Sequence, residues 1–123
     1  MKRTDVLALT LKEVFDPEFV REVIDQRGLR NSVLPKAELL RTQTSATIVC
    51  KRIIETFTTE DEHRRLCSLA VLTTSEVRCM AKLGKKTTRW LEEYLHLLGI
   101  TLPRTRSIYG MSQESQQFLQ SLG

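Results

Sequence analysis

Apolar residues recur along this chain at helical spacing, in blocks separated by cap and turn signals. Val6, Leu7, Leu9, Leu11 and Val14 mark one face over residues 3–14. Asp16-Pro17-Glu18 makes a fresh start, with an N-cap, a proline at the first helical position and an acid in the first turn. Phe19, Val20, Val23 and Ile24 follow, and Gly28 is expected to end that helix, with a loop over 28–34. Pro35 opens a long pattern through Leu39, Leu40, Ala46, Ile48, Val49, Ile53, Ile54 and Phe57. Thr42, Thr44, Ser45, Thr47 and Thr58 weaken it and allow a break near 42–45.

Thr59 with Glu62, and Thr73 with Glu76, each read as a capping box, in which a hydroxyl and a carboxylate three residues apart each accept from the other's backbone N–H at a helix start. The first is expected to open a helix carrying Leu66, Leu69 and Ala70. The second opens a short helix over 73–81. A longer amphipathic helix then runs through Trp90, Leu91, Tyr94 and Leu98, with Gly99 as a left-handed C-cap and Pro103 to prevent continuation. Residues 101–111 read as loop, and Ser112 caps a last helix with Phe118, Leu119 and Leu122. Few segments alternate with a period of two, and five Gly and three Pro leave little room for a turn-rich β-sandwich. The expected fold is all-α. It divides into an N-terminal helical part at 1–58, a second part at 59–106 and a short helical tail at 107–123.

Charge changes this picture through its location. The net charge of +4 is mild for 123 residues. Residues 1–30 balance, as do 61–79. Residues 80–106 hold Lys82, Lys85, Lys86, Arg89, Arg104 and Arg106 against Glu92 and Glu93 alone. The chain's positive excess therefore sits where an anionic partner would be held. Within it, Lys82-Leu83-Gly84-Lys85-Lys86-Thr87 lies between two helical patterns. A tight turn there gathers backbone N–H groups, the positive end of a helix dipole and lysine charges at one point, a device for holding phosphate. Gly84 is expected to need either a special backbone conformation or a close phosphate approach that a Cβ would obstruct. An isolated Gly-Lys-Lys is most often a solvated turn; the capped flanking helices and the local charge set this one apart. A helix-turn-helix is the second reading, but Gly84 to Trp90 is too short for its usual spacing. Trp90, at helical spacing from Leu91, Tyr94 and Leu98, reads as a core or partner-contact residue rather than a groove wedge.

Residues 66–103 resemble the C-terminal domain of the bacterial RNA polymerase α subunit. The likeness runs through Leu66-Cys67-Ser68-Leu69 and Ser75-Glu76-Val77, continues through Lys82-Leu83-Gly84-Lys85-Lys86-Thr87, and closes on Leu91, Glu93, Leu95, Gly99, Ile100 and Leu102. What the resemblance implies is a helix-hairpin-helix set on the minor groove of DNA, with Gly84, Lys86 and Thr87 at the backbone. The chain departs from the family in three places. Lys82 stands where the family has Asn, and Trp90 where it has an acid. The family's Arg-Ser-x-Asn-Cys run has no counterpart, and Arg52 or Lys51 would have to supply its arginine.

The expected function is a DNA-binding transcription regulator, an activator of bacterial or phage origin such as a phage late-promoter activator. Double-stranded DNA would lie against Lys82, Gly84, Lys85, Lys86, Thr87, Arg89, Arg104 and Arg106. RNA polymerase, a polymerase-associated factor or a second copy of the chain would meet the charge-neutral N-terminal helices. The alternatives are an accessory of DNA repair or recombination, and a polymerase-binding module that does not touch DNA. No enzyme is expected: no nucleophile–base order, P-loop or dinucleotide fingerprint is present, and Glu92 and Glu93 point to different sides of a helix. His63 and Cys67 lie four apart, yet no CxxC or HxxxH pair supports a metal, and no cofactor is expected. Three sparse cysteines and no signal peptide or membrane-spanning run point to a reducing cytoplasm, with the protein at the nucleoid.

Overall fold

A computed structural model of the chain describes residues 3–31, 43–106 and 111–122. Among them the chain is all-helical: α1 (Arg3–Ala8), α2 (Leu11–Val14), α3 (Pro17–Asn31), α4 (Gln43–Phe57), α5 (Leu66–Leu69), α6 (Thr74–Met80), α7 (Lys85–Leu97) and α8 (Gln113–Ser121). Pro35 and the pattern up to Thr42 lie outside the described residues.

Several starts follow from local chemistry. The Asp16 carboxylate accepts from the N–H groups of Glu18 (3.1 Å) and Phe19 (3.4 Å), with Pro17 as the first helical residue. Thr73 and Glu76 form the reciprocal box, at 3.1 and 3.0 Å. The Ser112 hydroxyl accepts from the Ser115 N–H at 3.2 Å and starts α8.

Three local expectations fail, each for a physical reason. The face over 3–14 is two helices, because the backbone between them is used elsewhere: Leu66 N–H donates to the Leu9 carbonyl and Leu11 N–H to that of Arg64, both at 2.8 Å. Thr10 then caps α2 with its own box to Glu13. Gly28 does not end α3, which runs on to Asn31; one interior glycine costs about 1 kcal/mol and does not stop a helix already nucleated. Thr59 starts nothing. Its hydroxyl donates back to the Glu55 carbonyl at the end of α4, while Glu62 pairs with Lys12 at 3.6 Å. The next helix waits until Leu66.

One apolar cluster holds these elements. Val6, Leu11, Val14, Phe15, Val20, Val49, Ile53 and Phe57 belong to it, together with Leu66, Leu69, Leu72, Leu91, Tyr94 and Phe118. Residues on both sides of position 58 thus share one core. The most extensive helix contact is that of α4 with α7, followed by α3 with α7. The Tyr94 hydroxyl donates to the Val14 carbonyl at 2.5 Å, and its ring meets Phe15 at 5.8 Å between centroids. On the other side, α8 closes over α5. Phe118 sits edge-on to Phe57, Arg64 stacks on the Phe118 ring at 4.1 Å, and Ser115 donates to the Cys67 carbonyl at 3.1 Å.

Candidate nucleic-acid interface

The basic turn is built by how α6 ends. Leu83 N–H donates to the Arg78 carbonyl at 2.9 Å and Lys82 N–H to that of Cys79 at 3.4 Å, with Lys82 in the left-handed region at φ 55°. This pair of bonds, one reaching back five residues and one three, is a Schellman motif. The end of α7 repeats it with a glycine: Ile100 donates to Leu95 at 2.8 Å, Gly99 to His96 at 2.9 Å, and Gly99 has φ 80°. Leu83 and Ile100 follow the left-handed residues and are both buried, which pins each turn to the core.

Gly84 does not need a special backbone. It is the N-cap of α7 at φ −83°, ψ −176°, extended geometry open to any residue. A Cβ added there would meet the Thr87 hydroxyl at 3.9 Å, an ordinary contact. The unusual conformation falls two residues earlier, on Lys82. What Gly84 does provide is a helix start with no side-chain cap. The ladder begins with Thr88 N–H on the Gly84 carbonyl at 2.9 Å, so the amides before it lie outside the ladder and mark the positive end of the helix dipole.

The expected site residues divide into two groups. Lys82, Gly84, Lys85, Lys86 and Arg89 are exposed around this helix start, and none of the four cations forms an ion pair with a described residue. Arg104 is also exposed, in the segment after α7. Thr87 and Arg106 are already engaged. Thr87 is buried and its hydroxyl donates to the Gly84 carbonyl at 3.0 Å, closing the first turn. Arg106 pairs with the Glu76 carboxylate, which also accepts from the Thr73 N–H. Trp90 is buried and stacked on Tyr94, 5.1 Å between centroids at 14°, as a core residue.

Arg52 and Lys51, the two candidates for the family's arginine, part ways in the fold. Arg52 lies on α4, far from the turn in sequence, and its guanidinium donates to the Lys82 carbonyl. Lys51 instead lines a groove of about 540 Å³ between α3 and α4, with Phe15, Val20, Ile24, Ala46 and Cys50. Burial first, then the Asp16 carboxylate, push the Cys50 thiol up to about 11, so it is a protonated, apolar part of that groove.

The Glu76–Arg106 pair makes stability depend on pH. The hydrogen bond from Arg106 is the main cause that holds the Glu76 carboxyl below its usual range. A lowered folded value contributes stability above the unfolded value of about 4.3 and loses it as the pH falls through the folded value. Glu76→Gln keeps a capping side chain and removes the charge. Its urea midpoint is expected to lie below that of the wild type at neutral pH and to converge with it in acid. Parallel curves throughout would mean that the pair contributes nothing.

No helix among the described residues is long and apolar enough to cross a membrane. The chain matches no protein-family model, no curated protein and no solved structure.

Proposed function

We propose that this protein grips the backbone of double-stranded DNA with the turn and helix start at 82–89, a helix-hairpin-helix unit, and acts as a transcription regulator. The observation that carries the reading is the uncapped start of a 13-residue helix at exposed Gly84, surrounded by Lys82, Lys85, Lys86 and Arg89, which have no carboxylate partner among the described residues. Phosphate would complete both the free helix end and the unpaired charges. The sequence resemblance to the polymerase α-subunit domain favours an activator that works with bacterial RNA polymerase at promoters. In this reading polymerase, or a factor bound to it, meets the N-terminal helices, where the groove between α3 and α4 offers apolar area.

Four neutralised phosphates give a log–log salt slope of about −3.6, at about 0.9 per phosphate. Lys85→Ala with Lys86→Ala is expected to flatten that slope by about two in a fluorescence-anisotropy titration of a mixed-sequence duplex. An unchanged slope and affinity in the double variant would remove this surface as the DNA site. Crosslinking of the tagged protein across the genome separates the roles. Enrichment at promoters supports the activator, and an even distribution supports a repair or recombination accessory. Polymerase binding without duplex binding leaves the non-DNA module.

A further inference from the structure

We infer that Arg52 is the positioning residue of the DNA grip, a clamp that holds the basic turn in its binding shape before any DNA arrives. The inference rests on the DNA-backbone reading for its purpose, but its geometry stands apart from it. Lys82 is the only non-glycine residue with positive φ among the described residues. A lysine there lacks both the freedom of glycine and the local hydrogen bonding of asparagine, so the left-handed state is unfavourable on its own. The bonds of Leu83 to Arg78 and Lys82 to Cys79 hold the turn to α6. Arg52 holds it from a second element, α4. Because α4 also makes the main contact with α7, one helix fixes both the turn and the helix that carries Lys85, Lys86 and Arg89.

The arrangement accounts for a lysine standing at a position that favours glycine. Lys82 adds a cation beside the helix start, and Arg52 offsets the conformational cost by satisfying the Lys82 carbonyl with a charged donor. Without the clamp the left-handed turn would open more often, and the four cations would no longer be held in one geometry. DNA would then have to restore that order on binding, at the expense of affinity.

The test uses the full chain, with two readouts. Hydrogen exchange in the free protein reads the clamp directly. Arg52→Ala is expected to speed exchange at the Lys82 and Leu83 amides about tenfold, as the loss of one hydrogen bond from a charged donor would do, while the Leu95 amide inside α7 is unchanged. Unchanged exchange at Lys82 and Leu83 overturns the clamp, whether or not the protein binds DNA. Duplex titration reads its purpose through a double-mutant cycle. Arg52→Ala should weaken binding several-fold in the wild-type background and much less beside Lys82→Gly, where glycine adopts the left-handed state unaided. An equal loss in both backgrounds would make Arg52 a direct phosphate contact and overturn the positioning role. If wild-type protein fails to bind the duplex while the exchange result holds, the DNA reading fails and the clamp on the turn stands.

Discussion

A fragment of residues 59–123 is expected to be unfolded. It would contain α5 to α8, including every proposed DNA-contact residue, but neither Arg52 nor the helices α3 and α4 against which α7 mainly packs. Phe15, Val20, Val23, Val49, Ile53 and Phe57, all buried in the common core, leave with residues 1–58. At about 1.5–3 kcal/mol for each buried apolar side chain, their loss is comparable to the whole stability of a domain, about 5–15 kcal/mol. Polar ties go with them: the Tyr94 hydroxyl loses the Val14 carbonyl, and the Leu66 amide loses that of Leu9. Circular dichroism and thermal melting decide the matter. The fragment should show little helix and no cooperative transition. A native-like near-ultraviolet spectrum with a sharp melt would sink the single-core account and leave the basic turn as an independent unit.

Gly84→Asp is expected to leave the protein folded and to abolish tight duplex binding, by more than tenfold. The folded state has room for the change, since an added Cβ makes only the 3.9 Å contact and the backbone there is extended. Asp is among the best N-caps, and exchanging it with Gly moves stability by only a few tenths of a kcal/mol. Yet its carboxylate would take up the helix amides from the side where phosphate is proposed to approach, and repel that phosphate. Gly84→Ser is the control, as it caps without charge and should keep most of the affinity. If the Asp variant binds a duplex as the wild type does, phosphate does not sit at this helix start. If it fails to fold, Gly84→Ser against Lys85→Glu carries the same comparison at an exposed position.

What the sequence made legible was whatever local chemistry decides. The Asp16-Pro17 start, the Thr73–Glu76 box, the Ser112 cap and the left-handed Gly99 were all readable, because each is complete within a few residues. Thr59–Glu62 has the same Thr-x-x-Glu spacing and was misleading. Its hydroxyl is taken by the helix it follows, and its carboxylate by a lysine from α2's first turn. The Leu9–Leu11 break was unreadable, since its backbone partners lie at Arg64 and Leu66. At the candidate site, the exposed cations could be read from charge density alone. That Thr87 turns inward, that Arg106 is held by Glu76 and that Lys82 carries the left-handed conformation depend on neighbours that only the fold supplies.

The bond between Tyr94 and Val14 joins residues 80 apart in sequence, and it bears on how the protein is made. Helical proteins usually fold fast because their contacts are local. Here the core closes only when the ends of a long loop meet, and that closure carries an entropic cost which the short helices cannot offset alone. During synthesis the first helices leave the ribosome well before α7 exists to cover them. The nascent chain is therefore expected to carry an open apolar surface until α7 has been made, with the core closing only then.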